Sequence, residues 1–513
     1  MENAPIIDTH SIVETLVVET SPNKALGTIK LFGILFISVV GGAYGAEPLV
    51  QSVGPLLAII ILVVCSLAVM LPICLITAEL STSLPSNGGL VDWVTCATSP
   101  FANFFTMFIT TISLIGATID NAVYPTLFCG YLEQMVPLPW WAEVLVKLGV
   151  TIIATGLNLV GIDIIGRISV LFTLATLFPF VVFCGFGVFS TDVHWDNLLA
   201  IQQPAQMNWP LLISVLFWNI NGVDGCGNIS EDVRKVERTI PRAMLLLVLA
   251  TICAYVFPCA VGSILDDNWP LWVEGSFVDI SSRISVHWVA VSLPWLMFFG
   301  GLASSLGYLL TLMCTASRLF HGFVMLDFHP LITRTIGHVN TCFKTPDVCI
   351  ILQGIVVFVF SACLPFSDLV GVDSAFYAIR VFFIALSFIL LRVRYPDLPR
   401  PFKFGPNIVV ALLFATPTIV FCICCAILGL MSSLWTVIIG GVLLHIVIIV
   451  SLIFFWFFPR NFTVHDNIVA LVKSRDLGPA EGFPQDYKNS SHSSFERIPS
   501  PDITVAVESV PET

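Results

Sequence analysis

The chain has 513 residues, of which 57% are hydrophobic and 11% are charged, and its formal net charge is −12. Soluble domains carry roughly a quarter charged residues, so this composition excludes an ordinary cytosolic enzyme. A helix that crosses a bilayer needs about 20 apolar residues, and runs of this kind recur along the whole chain. The composition therefore predicts one large α-helical membrane bundle.

Apolar runs predict twelve transmembrane helices within a single domain, residues 29–458. The flanking tails, 1–28 and 459–513, are polar and contain acidic, Ser- and Pro-rich stretches, which predicts cytoplasmic disordered segments. The predicted spans lie near residues 30–50, 54–80, 100–131, 140–160, 167–190, 209–228, 241–265, 287–317, 347–365, 369–392, 407–430 and 434–458.

Loop charge predicts the orientation of these spans. Lysine and arginine concentrate on cytoplasmic loops of membrane proteins, and alternate loops here hold nearly all of them. Both termini are therefore predicted to be cytoplasmic, with the plasma membrane as the default location. The opposite loops are acidic, which either concentrates cations near the protein or is simply what remains when basic residues are excluded. The basic loop residues are Arg167, Arg234, Lys235, Arg238, Arg242, Arg318, Arg334, Lys344, Arg392, Arg394, Arg400 and Lys403.

The first and sixth spans contain glycine-rich interruptions. The first holds Gly41-Gly42-Ala43-Tyr44-Gly45-Ala46-Glu47-Pro48, and the sixth holds Trp218-Asn219-Ile220-Asn221-Gly222-Val223-Asp224-Gly225. Irregular backbone at membrane depth is tolerated only where protein buries it or water reaches it. Paired interruptions at the start of two five-helix halves indicate an inverted-repeat (5+5) transporter with two further helices and a binding site at the midplane.

Acidic residues outnumber basic residues within the predicted spans. An ionised carboxylate at membrane depth costs several kcal/mol unless it is paired or hydrated. A cationic substrate or a proton is therefore expected to balance the excess negative charge. The acids are Glu47, Asp120, Asp224 and Asp373, with Glu79 near the inner end of the second span, and the basic residues are Lys147 and Arg380.

Each acid also has a structural interpretation. Glu47 could accept hydrogen bonds from amides freed by the break, and Asp373 could pair with Arg380 or lie near the outer end. Asp120 and Tyr124 are four residues apart and share a helix face, which suits an alkylammonium through charge and cation–π attraction. Glu79 is interpreted as a gating or coupling residue at the inner mouth.

Three tyrosines and a tryptophan lie beside these features, and they are candidate walls of the site. Most of the 40 phenylalanines are instead expected to face lipid or the core. No cysteine and histidine spacing is typical of a zinc site, and no cofactor or nucleic-acid partner is expected. The predicted substrate site comprises Gly41, Gly42, Tyr44, Glu47, Asp120, Tyr124, Trp218, Asn221, Asp224 and Tyr377.

Three motifs resemble those of the polyamine permeases in the amino acid/polyamine/organocation superfamily, similar to the uptake transporters of plants and trypanosomatid protozoa. They are the first-span motif ending in Glu47, the second-span exit at residues 78–89, and the sixth-span Trp-Asn-x-Asn-x-x-Asp at residues 218–224. The likeness covers about residues 28–455. It implies proton-linked import of putrescine, spermidine or related amines, at a site lined by Glu47, Tyr124, Trp218, Asn221, Asp224 and Tyr377.

The chain departs from one feature of the superfamily, since some proton-coupled members carry a lysine in the fifth span and residues 168–190 contain none. The proton acceptor is thus unassigned. We hypothesise that Asp224 and Glu47 hold one ammonium and that Asp120 holds another. A cationic amino acid permease and a transporter-like sensor are the alternatives, and no catalytic motif favours an enzyme.

Overall fold

The computed structural model describes residues 26–85, 89–98, 101–191, 193–324, 330–343, 345–396, 398–431 and 433–457. Regular structure in these ranges is helical, and an isolated β-bridge pairs Leu26 with Val233. The predictions of disorder concern tails that lie almost entirely outside the described residues. The same is true of part of the second-span motif, at residues 86–88.

Seventeen α-helices follow one another through the described part of the chain. They are α1 Thr28–Val39, α2 Glu47–Val53, α3 Pro55–Cys65, α4 Leu71–Ser83, α5 Leu90–Ala97, α6 Ala102–Glu133, α7 Trp140–Val160, α8 Ile162–Gly187, α9 Trp209–Asn219, α10 Val236–Leu265, α11 Ser276–Ser281, α12 His287–Val324, α13 Pro330–Ile336, α14 Asp347–Cys363, α15 Phe366–Arg394, α16 Ile408–Leu430 and α17 Leu434–Phe457.

Eight helical segments of the described residues are long and apolar enough to cross a membrane, judged by length and composition. One of them is continuous from α3 to α4 through a π-helical turn at Ser66–Met70. Two apolar segments are shorter than a membrane span: Leu174–Gly187, which is part of α8, and Asp347–Cys363, which is α14. The multi-pass helical architecture that the composition predicts is therefore confirmed. The eight are Pro55–Ser83, Phe104–Glu133, Trp140–Val160, Val236–Leu265, His287–His321, Phe366–Arg394, Ile408–Leu430 and Leu434–Phe457.

The predicted first and sixth spans are interrupted helices. The first is divided into α1 and α2, and the sixth consists of α9 followed by a 3₁₀ segment, Val223–Asp232. Long helices surround the two breaks: α15 packs against α6, α9 and α16, while α12 packs against α6 and α8, and α10 packs against α1. Both breaks therefore lie inside the bundle.

The two ends of the bundle differ in charge. At the basic end, Arg392 and Arg400 contact Glu79, and Arg394 donates to the Ala97 carbonyl at 2.7 Å. At the acidic end, Asp266 pairs with Arg283 in the segment that joins α10 to α12. That segment, residues 266–286, is called the acidic-end loop below.

Candidate functional site

The first break exposes backbone groups that side chains of other helices satisfy. The hydroxyl of Tyr255 donates to the Val40 carbonyl at 3.1 Å, and that of Ser304 donates to the Gly41 carbonyl at 3.4 Å. These carbonyls follow the end of α1 and have lost their helical partners. Three glycines of the break adopt positive φ, a conformation that glycine takes at little cost: Gly41 at 43°, Gly42 at 104° and Gly45 at 81°.

The second break begins where α9 ends at Asn219. Gly222 follows with φ of 85° in the left-handed region, and the chain then continues as the 3₁₀ segment. Trp218 therefore lies on the last turn of α9, and Asp224 lies at the start of the 3₁₀ segment. The end of α9 at Phe217-Trp218-Asn219 and the following turn thus place an indole ring and a carboxylate at the second break.

A small cavity lies between the two breaks. Four of the predicted site residues line it: Tyr44, Tyr124, Trp218 and Asn221. The rings of Tyr124 and Tyr308 are stacked, with centroids 5.1 Å apart and an interplanar angle of 11°. The remaining lining residues are Ser38, Val39, Val40, Leu127, Asn219, Tyr255, Ser304 and Tyr308.

Tyr255 and Tyr308 are cavity residues that the sequence analysis missed. The chain has only eight tyrosines, and a phenolic hydroxyl inside an apolar span needs a hydrogen-bond partner. The scarcity of tyrosine, together with the positions of these two within predicted spans, could have indicated that they belong to the site. The motifs near the breaks drew attention to other tyrosines instead.

Asp120 lies beside this cavity with two neutral donors on its carboxylate. Trp218 Nε1 donates to Asp120 Oδ1 at 3.2 Å, and the Tyr124 hydroxyl donates to the same oxygen at 3.3 Å. The second contact confirms that Asp120 and Tyr124 share a helix face. Both donors line the cavity, whereas Asp120, Asp224 and Tyr377 are not among its lining residues. The carboxylate of Asp120 is thus held beside the cavity by two rings of its lining.

Asp224 is paired with Arg380, so the pairing of Arg380 with Asp373, one of two alternatives for Asp373, is not the one formed. Arg380 Nη2 lies 2.7 Å from Asp224 Oδ2, and the two side chains are 22% and 4% exposed. The Tyr377 hydroxyl donates to Asp224 Oδ1 at 3.1 Å. Asp373 instead accepts from Asn221 Nδ2 at 3.2 Å. The register between α15 and the second break decides this choice of partner.

The site carries more negative than positive charge. Asp120, Asp224 and Asp373 supply three carboxylates and Arg380 supplies one guanidinium, and Asp373 lies within electrostatic range of both Asp120 and Arg380. With all four groups ionised, the cluster has a net charge of −2. Tyrosine and tryptophan rings cover one side of it.

Comparison with known proteins matches the model of the amino acid permease family to residues 26–473. The chain belongs to the amino acid permease family. Similar proteins include polyamine transporter RMV1 of Arabidopsis thaliana, which is 31% identical over 413 residues covering 78% of this chain and 80% of that protein. Polyamine transporter PUT1 of Oryza sativa subsp. japonica is 28% identical over 389 residues, 75% of this chain and 70% of that protein.

Glu47 of the permease does not line the cavity. The side chain is fully buried, and its Oε1 accepts from the Tyr131 hydroxyl at 3.2 Å and from the Gly275 amide at 3.1 Å. Asp224 has the partners given above, so the two carboxylates expected to share one ammonium are engaged with different groups. Glu47 therefore joins the first break to the acidic-end loop.

Glu79 lies at the basic end of the permease and away from the cavity. Arg392 donates to its two carboxylate oxygens at 2.9 and 2.5 Å, and Arg400 Nε lies 3.3 Å from Oε1. The backbone amide of Phe404 also donates to Glu79 Oε2 at 2.7 Å. The carboxylate thus fastens α4 to the end of α15 and to the segment before α16.

A second small cavity adjoins the first on the side of the basic end. The two share Ser38, Ser304 and Tyr308 as lining residues. Gly41 also lines the second cavity, and a Cβ at this position would overlap the Tyr308 ring. Gly42 allows a close approach of Thr176, since a Cβ there would lie 3.0 Å from its methyl group. Both predicted glycines therefore support the shape of the break.

Proposed function

We propose that this permease imports polyamines such as putrescine and spermidine by alternating access, coupled to protons, across the plasma membrane. The observation that carries the proposal is the acid-rich cluster of Asp120, Asp224, Asp373 and Arg380 beside an aromatic cavity. With its four groups ionised, the cluster would have a net charge of −2, which matches a diammonium chain. The names of the similar Arabidopsis and rice proteins support the same substrate class.

The residues around the cavity suit a chain of methylenes between two ammonium groups. Asp120 and Asp373 are the carboxylates that remain after Arg380 has paired with Asp224, so each is proposed to bind one ammonium. The rings of Tyr124, Trp218 and Tyr308 offer faces for the methylenes and for cation–π contact. A polyamine has no carboxylate, so this site requires no set of amide donors of the kind that binds an amino acid's carboxylate at a broken helix end.

The proposed architecture has twelve transmembrane helices in two inverted five-helix repeats followed by two further helices. The broken spans α1–α2 and α9 with its 3₁₀ continuation are the first helices of the two repeats. Cytoplasmic termini follow from the lysine and arginine of alternate loops, so the basic end faces the cytoplasm. Rocking of one group of helices against the other would then open the cavity to each side in turn.

Uptake of labelled putrescine and spermidine into proteoliposomes tests the proposal. We expect saturable uptake that an inward proton gradient increases. Unlabelled spermidine should inhibit this uptake more strongly than unlabelled arginine does. Stronger competition by arginine would favour a cationic amino acid permease. Amine binding without flux into sealed vesicles would favour a sensor, and either result would contradict polyamine import.

A further inference from the structure

Glu47 has a buried carboxylate oxygen without a partner. Its Oε1 accepts two hydrogen bonds, while Oε2 accepts none from another residue and is inaccessible to solvent. The backbone amide of Glu47 itself, at the start of α2, also lies beside the carboxylate. Among the described residues, no lysine, arginine or histidine forms an ion pair with this carboxylate. Glu47 therefore differs from Asp224 and Glu79, whose buried carboxylates each pair with arginine.

An ionised carboxylate in this position would be unstable. Moving a carboxylate out of water costs several kcal/mol unless a cation and hydrogen bonds compensate. Two neutral donors on one oxygen compensate only in part, and the other oxygen would keep its charge in a dry interior. The neutral acid avoids this cost, so the packed arrangement favours a proton on Glu47.

The groups that face Glu47 come from three elements and the first break. They are Tyr44 of the break, Tyr131 of α6, Cys259 of α10 and Glu274 of the acidic-end loop. None of them is a cation that could stabilise an ionised Glu47. Burial raises the pKa of Glu274 above its ordinary value, and the nearby Glu133 adds to this effect.

Glu133 and Glu274 lie on the side of Glu47 toward the acidic end. Glu133 is exposed at the acidic end, and Glu274 lies between it and Glu47 in the loop. The loop is held there by the Gly275 amide on Glu47 and by Gln134 Nε2, which donates to the Glu274 carbonyl at 3.3 Å. The surroundings of Glu47 on the side of the acidic end are thus acidic.

We propose that Glu47 is the binding site of the coupling proton. It takes up the proton as the acidic-end loop closes over the first break, and it releases the proton toward the basic end when the break opens on the side of the cavity that Tyr44 lines. This inference rests on the proposed transport function. Separation of the loop from the break would expose Glu47 to water, where it ionises at ordinary pH. Closure removes that water and favours the protonated acid. Proton binding and loop closure therefore stabilise one another.

The first test compares Glu47→Gln with wild type in proteoliposomes. Glutamine keeps the oxygen that accepts from Tyr131 and Gly275 but cannot take up a proton. We expect Glu47→Gln to exchange labelled putrescine across the bilayer without a gradient, and to lose the increase that an inward proton gradient gives the wild type. Asp196→Asn is the control, because Asp196 is an exposed acid next to Asn197, which contacts the acidic-end loop at Asp267, and it should keep the increase.

Two outcomes of this test would overturn the inference. Retained stimulation by the gradient in Glu47→Gln would exclude Glu47 as the proton site. Loss of gradient-free exchange, in a variant that elutes as a folded protein, would make Glu47 a ligand of the amine instead. Absence of all amine transport in the wild type would contradict the proposed function, and the measurement described next tests the proton switch independently.

The second test measures amide hydrogen exchange in α11, within the acidic-end loop, and needs no substrate. In wild type, protection of Ser276–Ser281 should be greater in mildly acidic than in mildly alkaline buffer. Glu47→Gln should remove the part of this dependence that Glu47 contributes. Tyr131→Phe keeps the carboxyl group of Glu47, so protection in this variant should still depend on pH. Unchanged pH dependence in Glu47→Gln would overturn the inference.

Discussion

Arg380 donates to Asp224 at 2.7 Å, and this ion pair divides the acids of the site into two kinds. Asp224 has its own cation, while Asp120 and Asp373 accept hydrogen bonds from neutral tryptophan, tyrosine and asparagine side chains. A neutral donor stabilises a carboxylate less than a guanidinium does. The incoming ammonium groups are therefore expected to bind to Asp120 and Asp373.

Asp120→Asn and Asp373→Asn should each weaken putrescine binding. A hydrogen bond to a charged group contributes about 1.5–3 kcal/mol, so we expect the apparent affinity to fall by about 10- to 100-fold. Competition of labelled putrescine in proteoliposomes measures the effect. Asp368→Asn is the matched control. Asp368 is a buried acid on α15, the helix that also holds Asp373, and it accepts a hydrogen bond from the Thr436 hydroxyl. Equal losses in all three variants would contradict the assignment.

Removal of the arginine alone should destabilise the protein more than removal of the whole ion pair. Arg380→Gln leaves Asp224 buried without its cation, and breaking a buried pair in this way costs about 3–5 kcal/mol. The double variant Arg380→Gln/Asp224→Asn leaves no uncompensated charge and should recover much of this loss. Denaturant midpoints in detergent provide the comparison. Additive effects of the two substitutions would show that the pair is energetically unimportant.

The helical architecture could be predicted from the sequence because long apolar runs have few alternatives in a bilayer. The predicted span at 140–160 coincides with α7, and the glycines at 41–45 and 222 mark the breaks. Glycine at positive φ is a local property, so no tertiary information was needed. Asp120 and Tyr124 are likewise related by helix periodicity alone.

The partners of the acids could not be predicted in the same way. Glu47 contacts Gly275, which lies 228 residues later, and Asp224 contacts Arg380, which lies 156 residues later. Such contacts depend on the register and rotation of packed helices, which hydrophobic pattern does not determine. Tyr308 was missed for the same reason, since its position beside Gly41 follows from the packing of α12 on the first break.

The raised pKa of Glu274 predicts that low pH stabilises the packed acidic-end loop. A buried acid with a raised pKa binds its proton more tightly in the packed loop than in the open loop. The stabilisation that the protonated Glu274 gives the packed loop is therefore present at low pH. It is lost as the pH rises through the raised pKa of Glu274. Glu274→Gln should reduce the pH dependence of hydrogen exchange in α11. An unchanged profile would show that Glu274 does not participate.

Glu79 should affect the transport cycle without affecting amine affinity, because it lies at the basic end and outside the cavity. Glu79→Gln weakens the contacts to Arg392, Arg400 and Phe404 that hold this end together. We expect a changed maximal uptake rate at an unchanged half-saturating concentration. Arg318→Gln removes an exposed positive charge from the same end of the bundle and should leave both quantities as in wild type. A changed half-saturating concentration in Glu79→Gln would contradict the prediction.

Gly41→Ala should block transport through a direct clash with Tyr308. The new methyl group would overlap the Tyr308 ring, and Gly41 has φ of 43°, which disfavours a side chain. The ring can yield only by leaving its stack on Tyr124, which changes the shape of both cavities. Initial uptake rates, normalised to the amount of protein in the membrane, measure this loss.

Gly33→Ala is the matched control for this last substitution. Gly33 lies within α1, and a Cβ there meets no atom within 4 Å. Alanine is favoured over glycine inside a helix by roughly 0.5–1 kcal/mol, so this variant should fold and transport normally. Tyr308→Ala in the Gly41→Ala background removes the clashing ring and should restore the thermal stability of the variant. Failure to restore it would place the cause of the defect in the backbone strain at Gly41 and not in its contact with Tyr308.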